Sequence, residues 1–255
     1  MSINIKNVTK EFTNSGVKQK VLDNISLNIE DGEFVCLLGK SGCGKSTLLN
    51  MIAGFDTAYD GHILIDGEKV EKPRIDRVTI FQNYGLLPWR NVLKNVELGL
   101  ETLKIPKKDR ENIAIKYLKL VGLEKYKKHK VSELSGGMQQ RTSIARALAV
   151  KPKILFMDEP YGALDPITRK KLQEDIKRIW KDEKMTIIFV THDVEEAAYL
   201  GTKIVVLKPN PGKISDILDN NLKDGEDERT HIVNMKDRIF NILERNNSEA
   251  IEYYI

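Results

Sequence analysis

The sequence has little cysteine and no long hydrophobic run. Its two cysteines, Cys36 and Cys43, are too close together for a disulfide framework and match no metal-binding spacing. No apolar run approaches the roughly 20 residues that cross a bilayer. The N-terminus lacks the basic head and apolar stretch of a secretory signal. These absences predict a globular protein of the reducing cytosol.

The chain also lacks a strong charge of either sign. Its formal net charge is +4, and a charged fraction of 31% fits an ordinary globular protein. Lysine clusters at residues 107–110 and 125–130 have the composition to touch nucleic acid or anionic headgroups. Neither has the interleaved aromatics of a single-strand-binding segment, and such runs are more often solvated helix faces. We therefore expect no nucleic-acid partner.

Hydrophobic periodicity changes along the chain. Residues 3–12 and 21–29 alternate apolar and polar side chains, as half-buried strands do, and Asp66-Gly67 indicates a hairpin. From Asn91 to Val150 the pattern becomes helical. Apolar runs at 153–158 and 185–193 then alternate with a helix that begins at Pro166. This alternation predicts an α/β fold with a parallel sheet covered on both faces, and a last amphipathic helix is predicted over residues 229–245.

The stretch GKSGCGKST fits the phosphate-loop pattern G-x-x-x-x-G-K-[ST] and lies between a predicted strand and a predicted helix. Its glycines allow the backbone N–H groups to converge on an anion, and the helix N-terminus adds a positive dipole end. Lys45 can reach the β- and γ-phosphates, and the Ser46 hydroxyl can bind Mg²⁺. The candidate ATP ligands here are Gly39, Lys40, Ser41, Gly42, Cys43, Gly44, Lys45, Ser46 and Thr47.

Two carboxylates follow the apolar strand ILFMDEP. Asp158 stands where phosphate-loop enzymes hold the Mg²⁺ shell, and Glu159 lies just past the strand end, where a carboxylate can orient or deprotonate a water. A second glycine-rich turn, the Ser-Gly-Gly of LSGGMQQR, opens another helix and forms another anion site. One chain thus carries two phosphate half-sites, which a head-to-tail dimer would bring together.

With LSGGMQQR, the motifs and their order resemble those of ATP-binding-cassette (ABC) ATPases over nearly the whole chain. The resemblance implies a P-loop NTPase (RecA-like) core with an N-terminal antiparallel β subdomain and an inserted helical subdomain. It implies a cassette over residues 1–220, with the helical subdomain at about 86–150. A C-terminal helical tail over 221–255 would pack on the core.

The resemblance also implies roles for single residues, with ATP and Mg²⁺ as cofactors. Phe12 is similar to the aromatic that stacks on adenine, and Asp165 lies in a loop similar to the dimer interface. Two ATP molecules would lie between the phosphate loop of one subunit and the signature of a second copy, and hydrolysis would reopen that dimer. The implied signature ligands are Ser135, Gly136 and Gly137. The implied catalytic residues are Glu159, the switch histidine His192 and the lid glutamine Gln82, and the implied Mg²⁺ ligands are Ser46, Gln82 and Asp158.

A single cassette without a heptad run or membrane helices is typical of an importer subunit. A stand-alone exporter cassette remains an alternative, as does a soluble non-transport ABC ATPase, although those usually carry two cassettes or a coiled-coil insertion. LLPWRNV, Met138 and PNPGKI resemble importers of nitrate, sulfonates, taurine and related solutes. The implied partners are transmembrane permease subunits and, indirectly, an extracytoplasmic solute-binding protein. The implied location is the cytoplasmic face of the membrane.

The segment LLPWRNV has two interpretations. Proline interrupts helix formation there, and a helical pattern resumes after Arg90. A tryptophan at such a bend is either a buried corner of the core or an anchor for another protein. In importers of the resembling family, this junction receives a short cytoplasmic helix of the permease. The candidate permease contacts are Leu86, Leu87, Pro88 and Trp89.

Overall fold

The computed structural model describes residues 1–14, 16–162, 164–222 and 227–252. The chain divides into two compact units. Unit 1 contains residues 1–72 and 186–255, and unit 2 contains residues 73–185. Within the described ranges, no helix combines the length and the hydrophobicity needed to span a bilayer.

An antiparallel sheet forms the first part of unit 1, in the order β2-β1-β4-β5. Its strands are β1 (Ile3–Asn14), β2 (Val17–Ile29), β4 (Asp60–Ile65) and β5 (Glu68–Lys69). Ile3 pairs with Ile29 on one side and with Ile65 on the other, and all three are fully buried. The predicted hairpin at Asp66-Gly67 is confirmed, because Ile65 pairs with Glu68.

The second part of unit 1 is built on three parallel strands. Strand β3 (Phe34–Gly39) lies between β8 (Thr186–Thr191) and β9 (Lys203–Lys208), and β10 (Lys213–Asp219) pairs antiparallel with β9. Every residue of β3 and β8 is buried, as expected of strands covered on both faces. Helix α1 (Lys45–Ala53) follows β3, and α6 (Val194–Leu200) follows β8.

The C-terminal helix α7 (Glu228–Glu252) belongs to unit 1 and lies against α6. Met235 and Ile239 are buried on its inner face. Arg245 pairs with Asp216 of β10 at 2.6 Å. The helix extends seven residues beyond the Arg245 end that periodicity predicts.

Unit 2 combines two parallel strands with a helical block. Strand β6 (Arg77–Ile80) pairs with β7 (Ile154–Asp158). Between them lie α2 (Val92–Thr102), α3 (Lys107–Leu120), two 3₁₀ turns and α4 (Gly136–Ala149), and α5 (Pro166–Glu183) follows β7. Helices α2, α3 and α4 contact one another. The predicted helical stretch after Asn91 is thus confirmed, and Asn91 caps α2 by accepting a hydrogen bond from the Lys94 backbone N–H.

Candidate functional site

The segment Gly39–Thr47, called the phosphate loop below, connects β3 to α1. Gly42 and Gly44 have φ angles of 80° and 91°, a left-handed conformation that glycine adopts without steric cost. The Lys45 side chain is buried, and its Nζ donates to the carbonyls of Gly39 at 2.7 Å and Lys40 at 3.0 Å. The loop therefore holds an ammonium group among its own backbone groups at the N-terminus of α1, which is a site suited to phosphate.

Two close approaches fix the path of the phosphate loop. A Cβ atom on Gly39 would lie 2.5 Å from the Leu207 carbonyl oxygen and 2.8 Å from Cys43 Sγ. Gly212, in the segment PNPGKI, exchanges backbone hydrogen bonds with Val21 and Asp23 of β2, each 2.9 Å long. A Cβ on Gly212 would collide with the Cys43 carbonyl oxygen. The segment PNPGKI therefore packs directly against the phosphate loop and limits its position.

Cys43 fills space inside the phosphate loop. Its side chain is buried, and burial raises the pKa of its thiol. Burial also raises the pKa of the Cys36 thiol in β3. Neither cysteine has the lowered pKa of a reactive nucleophile, so both act as small apolar residues.

His192 follows β8 at the edge of the sheet where the phosphate loop begins. Leu38 and Thr191 are register partners, so Gly39 and His192 leave neighbouring parallel strands at the same end. His192 is exposed, and the turn beneath it is braced by Thr191 Oγ1, which donates to the buried Glu196 carboxylate at 2.7 Å. The structure therefore brings His192 to the same sheet edge as the phosphate loop.

The carboxyl edge of the unit 2 strands carries Gln82, Asp158 and Glu159. Ile80 pairs with Met157, so the chain leaves β6 toward Gln82 and β7 toward Asp158 at the same end of the pair. Asp158 and Glu159 are half-buried. Glu159 has a φ of 45°, a left-handed conformation that costs a non-glycine residue free energy and that clusters at functional sites.

Ser135 and Asp165 both cap helices of unit 2. Ser135 Oγ accepts a hydrogen bond from the Met138 backbone N–H at 3.3 Å, so the exposed Ser-Gly-Gly turn opens α4 as predicted. Asp165 Oδ1 accepts from the Thr168 backbone N–H at 3.0 Å at the start of α5. That hydrogen bond lowers the pKa of the Asp165 carboxyl. Ala163 of the predicted dimer-interface loop lies outside the described residues.

The other end of α4 reaches the loop that follows Gln82. Arg146, in the last turn of α4, donates to the carbonyls of Gly85 at 2.6 Å and Tyr84 at 2.9 Å. Tyr84 has a φ of 62°, so the chain turns sharply where the guanidinium holds it. One helix therefore connects the Ser-Gly-Gly turn with the segment after the glutamine.

The segment Leu86–Arg90, called the tryptophan loop below, is braced by one buried side chain. Asn95 Oδ1 accepts from the Leu87 backbone N–H at 2.8 Å, and its Nδ2 lies within 3.2 Å of the Leu87, Arg90 and Asn91 carbonyls. Asn95 is fully buried, whereas Trp89 is 78% exposed. The interpretation of Trp89 as a buried corner of the core is thus wrong. Leu86 and Leu87 are half-buried and Pro88 is exposed beside it.

Phe12 lies in β1 opposite Gln19 and is 43% exposed, so it is not a core aromatic. The Lys10 ammonium lies 4.7 Å from the centroid of its ring. An exposed ring of this kind can stack on a flat apolar group, and its proposed contact with adenine stays a prediction.

Each of the two units carries an oxygen donor of a kind that Mg²⁺ accepts. In the described part of the chain, no group of three His, Cys, Asp or Glu residues could hold a metal ion by itself. Mg²⁺ usually binds one or two protein oxygens and completes its shell with substrate phosphates and water. The exposed Ser46 hydroxyl in the phosphate loop and the half-buried Asp158 carboxylate are oxygen donors of this type.

Sequence reasoning missed Gly212, Asn95 and Arg146 as supports of the functional loops. A glycine in a loop or an asparagine within a helix can be seen in the sequence, but the sequence does not show which backbone groups it contacts in the fold. The helix α6 was also missed, although Asp193 and Glu196 have the spacing of a capping pair. Asp193 accepts hydrogen bonds from the backbone N–H groups of Glu195 and Glu196 there.

Comparison with known proteins places the site in context. The profile of the ABC transporter family matches residues 22–162. An uncharacterized ABC transporter ATP-binding protein of Methanocaldococcus jannaschii is 48% identical over 245 residues, which is 95% of this chain and 91% of that protein. A bicarbonate transport ATP-binding protein of Synechocystis is 43% identical over 82% of this chain and 75% of its own length. An aliphatic sulfonates import ATP-binding protein of Bacillus cereus is 44% identical over 87% of each chain.

A solved structure is similar as well. The ATP-binding cassette MJ0796, in a dimeric post-hydrolysis state bound to ADP and Pi, superposes with a TM-score of 0.79 at 35% identity. The match covers 87% of this chain and 100% of that one. The predicted α/β fold of the P-loop NTPase type is confirmed.

Proposed function

Because the chain belongs to the ABC transporter family and is an ATP-binding ATPase subunit, we propose that it powers an import system. The solute is a small anion or a related compound, and it crosses the membrane through a separate permease. The observation that carries this proposal is the set of relatives named for bicarbonate transport and sulfonates import, at more than 40% identity over most of the chain.

The nucleotide is bound by the phosphate loop. Its N–H groups and the Lys45 ammonium contact the phosphates, and Phe12 stacks on the adenine. Ser46, Asp158 and Gln82 would hold Mg²⁺, which would neutralise charge on the phosphates. Lys45 exchanges its two carbonyl acceptors for phosphate oxygens, which are stronger acceptors of a charged donor.

Glu159 polarises the attacking water, and His192 contacts the γ-phosphate. The left-handed backbone of Glu159 supports this role, because strain of this kind persists where a side chain must be held in one orientation. Gln82, which follows the strand paired with β7, contacts the nucleotide. A change from ATP to ADP then moves Gln82 and the loop after it, which Arg146 holds.

A second copy of the chain completes each site in a head-to-tail dimer. Ser135, Gly136 and Gly137 contact the γ-phosphate bound by the other copy, and Asp165 lies at the interface between the copies. The dimeric state of the similar cassette MJ0796 supports this arrangement. We propose a cassette over residues 1–220 with a helical subdomain at about 86–150, and a tail over 221–255.

The tryptophan loop docks on a short cytoplasmic helix of the permease. Trp89 supports this contact because a ring that is 78% exposed on a braced loop is the type of anchor found at interface hot spots. Leu86, Leu87 and Pro88 supply an apolar surface around it. The chain would then lie on the cytoplasmic face of the membrane, and an extracytoplasmic solute-binding protein would act through the permease.

Replacement of the catalytic carboxylate tests the ATPase mechanism. We expect Glu159→Gln to bind ATP as the wild type does, to lose at least about 100-fold in turnover and to accumulate a dimer, since water is no longer activated. Glu174→Gln on the exposed face of α5 is the matched control. ATP turnover and size-exclusion chromatography with ATP measure both effects. Wild-type turnover of Glu159→Gln would contradict the assignment.

The direction of transport needs its own test. Cells that lack the chain should accumulate less of a labelled bicarbonate or alkanesulfonate than wild-type cells, and the gene restores the difference. An exporter would give the opposite sign.

Trp89→Ala should keep the melting temperature and ATP affinity of the isolated chain but lose co-purification with the permease. A large loss of thermal stability with intact co-purification would show that docking lies elsewhere.

A further inference from the structure

Positive charge is concentrated in one short segment of unit 2. Residues 104–130 contain ten Lys or Arg and three Asp or Glu, a net charge of +7, whereas the whole chain carries only +4. The rest of the chain is therefore slightly negative. The ATPase mechanism uses none of these cations, so their concentration requires a separate explanation.

Most of these cations are exposed and form no salt bridge. Lys104, Lys107, Lys108, Lys116, Lys119, Lys125, Lys128 and Lys130 are all exposed. Among these eight described side chains, only Lys119 forms a salt bridge, with Glu124 at 3.5 Å. Solvated helix faces usually mix charges of both signs, which reduces self-repulsion. An excess of one sign on one surface instead attracts an anionic partner.

The segment Lys125–Lys130, called the basic loop below, lies beside the tryptophan loop. The Leu93 N–H donates to the Lys127 carbonyl and the Val92 N–H donates to the His129 carbonyl, each at 2.9 Å. Asn91 forms an isolated β-bridge with Lys130. The basic loop is therefore fixed to the start of α2, which begins three residues after Trp89.

One aromatic ring stands among these lysines. Tyr126 is 39% exposed, and its centroid lies 5.2 Å from that of His129 in an edge-on contact. Tyrosine and lysine together are typical of surfaces at the level of lipid headgroups, because the ring has an apolar body and a polar tip. A single-stranded nucleic acid would require several free ring faces in succession, which the basic loop lacks.

We propose that the basic loop binds anionic phospholipid headgroups at the cytoplasmic surface of the membrane, next to the permease. The inference rests on the proposed docking of Trp89, since that contact would hold the neighbouring lysines close to the bilayer. Lys125, Lys128 and Lys130 are the contacting cations. A lysine near an anionic membrane surface contributes about fivefold to affinity, so the three together contribute about 100-fold at low salt.

Vesicle co-sedimentation of the purified full chain tests the proposal. Phosphatidylcholine vesicles are compared with vesicles in which one third of the lipid is phosphatidylglycerol. The variant is Lys125→Gln with Lys128→Gln and Lys130→Gln. The matched control removes the same charge from exposed lysines of α5, as Lys170→Gln with Lys171→Gln and Lys181→Gln. Melting temperatures verify that both variants fold.

We expect the wild type and the control to bind the anionic vesicles, and to bind them more weakly at higher salt. The basic-loop variant should bind at least about tenfold more weakly. Equal weakening by the control, equal binding to neutral vesicles, or preferential binding of single-stranded RNA over anionic vesicles would each overturn the proposal.

A second measurement separates this proposal from the proposed function. In detergent without anionic lipid, the basic-loop variant should hydrolyse ATP and co-purify with the permease as the wild type does. If Trp89→Ala also co-purified normally, the docking proposal would fail while the vesicle result still decided the lipid contact. Normal vesicle binding by the basic-loop variant would remove the lipid contact and leave the ATPase function untouched.

Discussion

The phosphate loop and the tryptophan loop are held in different ways. The phosphate loop takes its shape from its own glycines, two of which have φ angles of 80° and 91°, and from a lysine that contacts the loop's own carbonyls. The tryptophan loop is held from outside, by the Asn95 amide in α2, and the turn just before it is held by the Arg146 guanidinium in α4. The shape of a loop that depends on its own residues can be recognised from a motif, whereas the shape of a loop that is held by side chains of the following helices cannot.

Gly39→Ala should have the largest effect, because the phosphate loop passes close to the backbone of β9 at this position. The new Cβ would lie 2.5 Å from the Leu207 carbonyl oxygen, so the phosphate loop must shift. We expect ATP affinity to fall by about 100-fold and the free energy of unfolding by about 1–3 kcal/mol. Nucleotide titration and urea unfolding measure these changes. Gly67→Ala, where a Cβ meets nothing within 4 Å but the φ is 81°, should keep ATP affinity and lose only the stability that a left-handed backbone costs.

Asn95→Ala should break the tryptophan loop and leave the phosphate loop intact. The change removes a fully buried amide, so the Leu87 N–H and the Arg90 carbonyl lose their hydrogen-bond partner. This loss should lower the free energy of unfolding by about 2–3 kcal/mol. ATP affinity should stay within about twofold of wild type. Asn112→Ala, on the exposed face of α3, is the control and should be nearly neutral. A large loss of ATP affinity in Asn95→Ala would contradict the separation of the two loops.

The difference between the loops also explains what the sequence predicts. Strands such as β3 and β8 could be predicted, since short, mainly apolar runs between turn signals are typical of strands buried on both faces. Roles for Lys45 and Asp158 could be proposed because the spacing of a motif and its order in the chain indicate their chemistry. The exposure of Trp89 was expected from the family resemblance and not from the residues alone, because the Asn95 hydrogen bonds that hold its loop have no sequence signature. Helix α6 could not be predicted, because its seven residues are too few to show a helical period.

Arg146→Met removes the guanidinium that holds the turn before the tryptophan loop, and we expect a smaller loss of stability than for Asn95→Ala. Two hydrogen bonds to the Tyr84 and Gly85 carbonyls are lost, and the aliphatic stem is retained. We expect a loss of about 1–2 kcal/mol in unfolding free energy. ATP turnover should fall more than ATP affinity, because the loop after Gln82 is displaced while the phosphate loop is not. Arg238→Met on the exposed side of α7 should change neither property.

Asp165→Asn should have the smallest effect and a distinct pH signature. The hydrogen bond from the Thr168 N–H lowers the pKa of Asp165 in the folded state. Its contribution to stability is therefore present above the ordinary carboxyl pKa of about 4 and is lost as the pH falls through the lower folded value. Asparagine keeps the cap but does not titrate. The melting temperature should be almost unchanged at neutral pH and should fall less steeply in acid than that of the wild type.

The alkylation rates of the two cysteines report how often the phosphate loop opens. Both thiols are buried, and burial also raises their pKa. An alkylating reagent therefore reacts with either thiol only after a local opening of the structure. Cys43 needs only the loop to open, whereas Cys36 needs the centre of the sheet to open. The ratio of the two alkylation rates thus measures how much more often the loop opens than the sheet, without any introduced probe. A bound nucleotide would slow the first rate and leave the second as its reference.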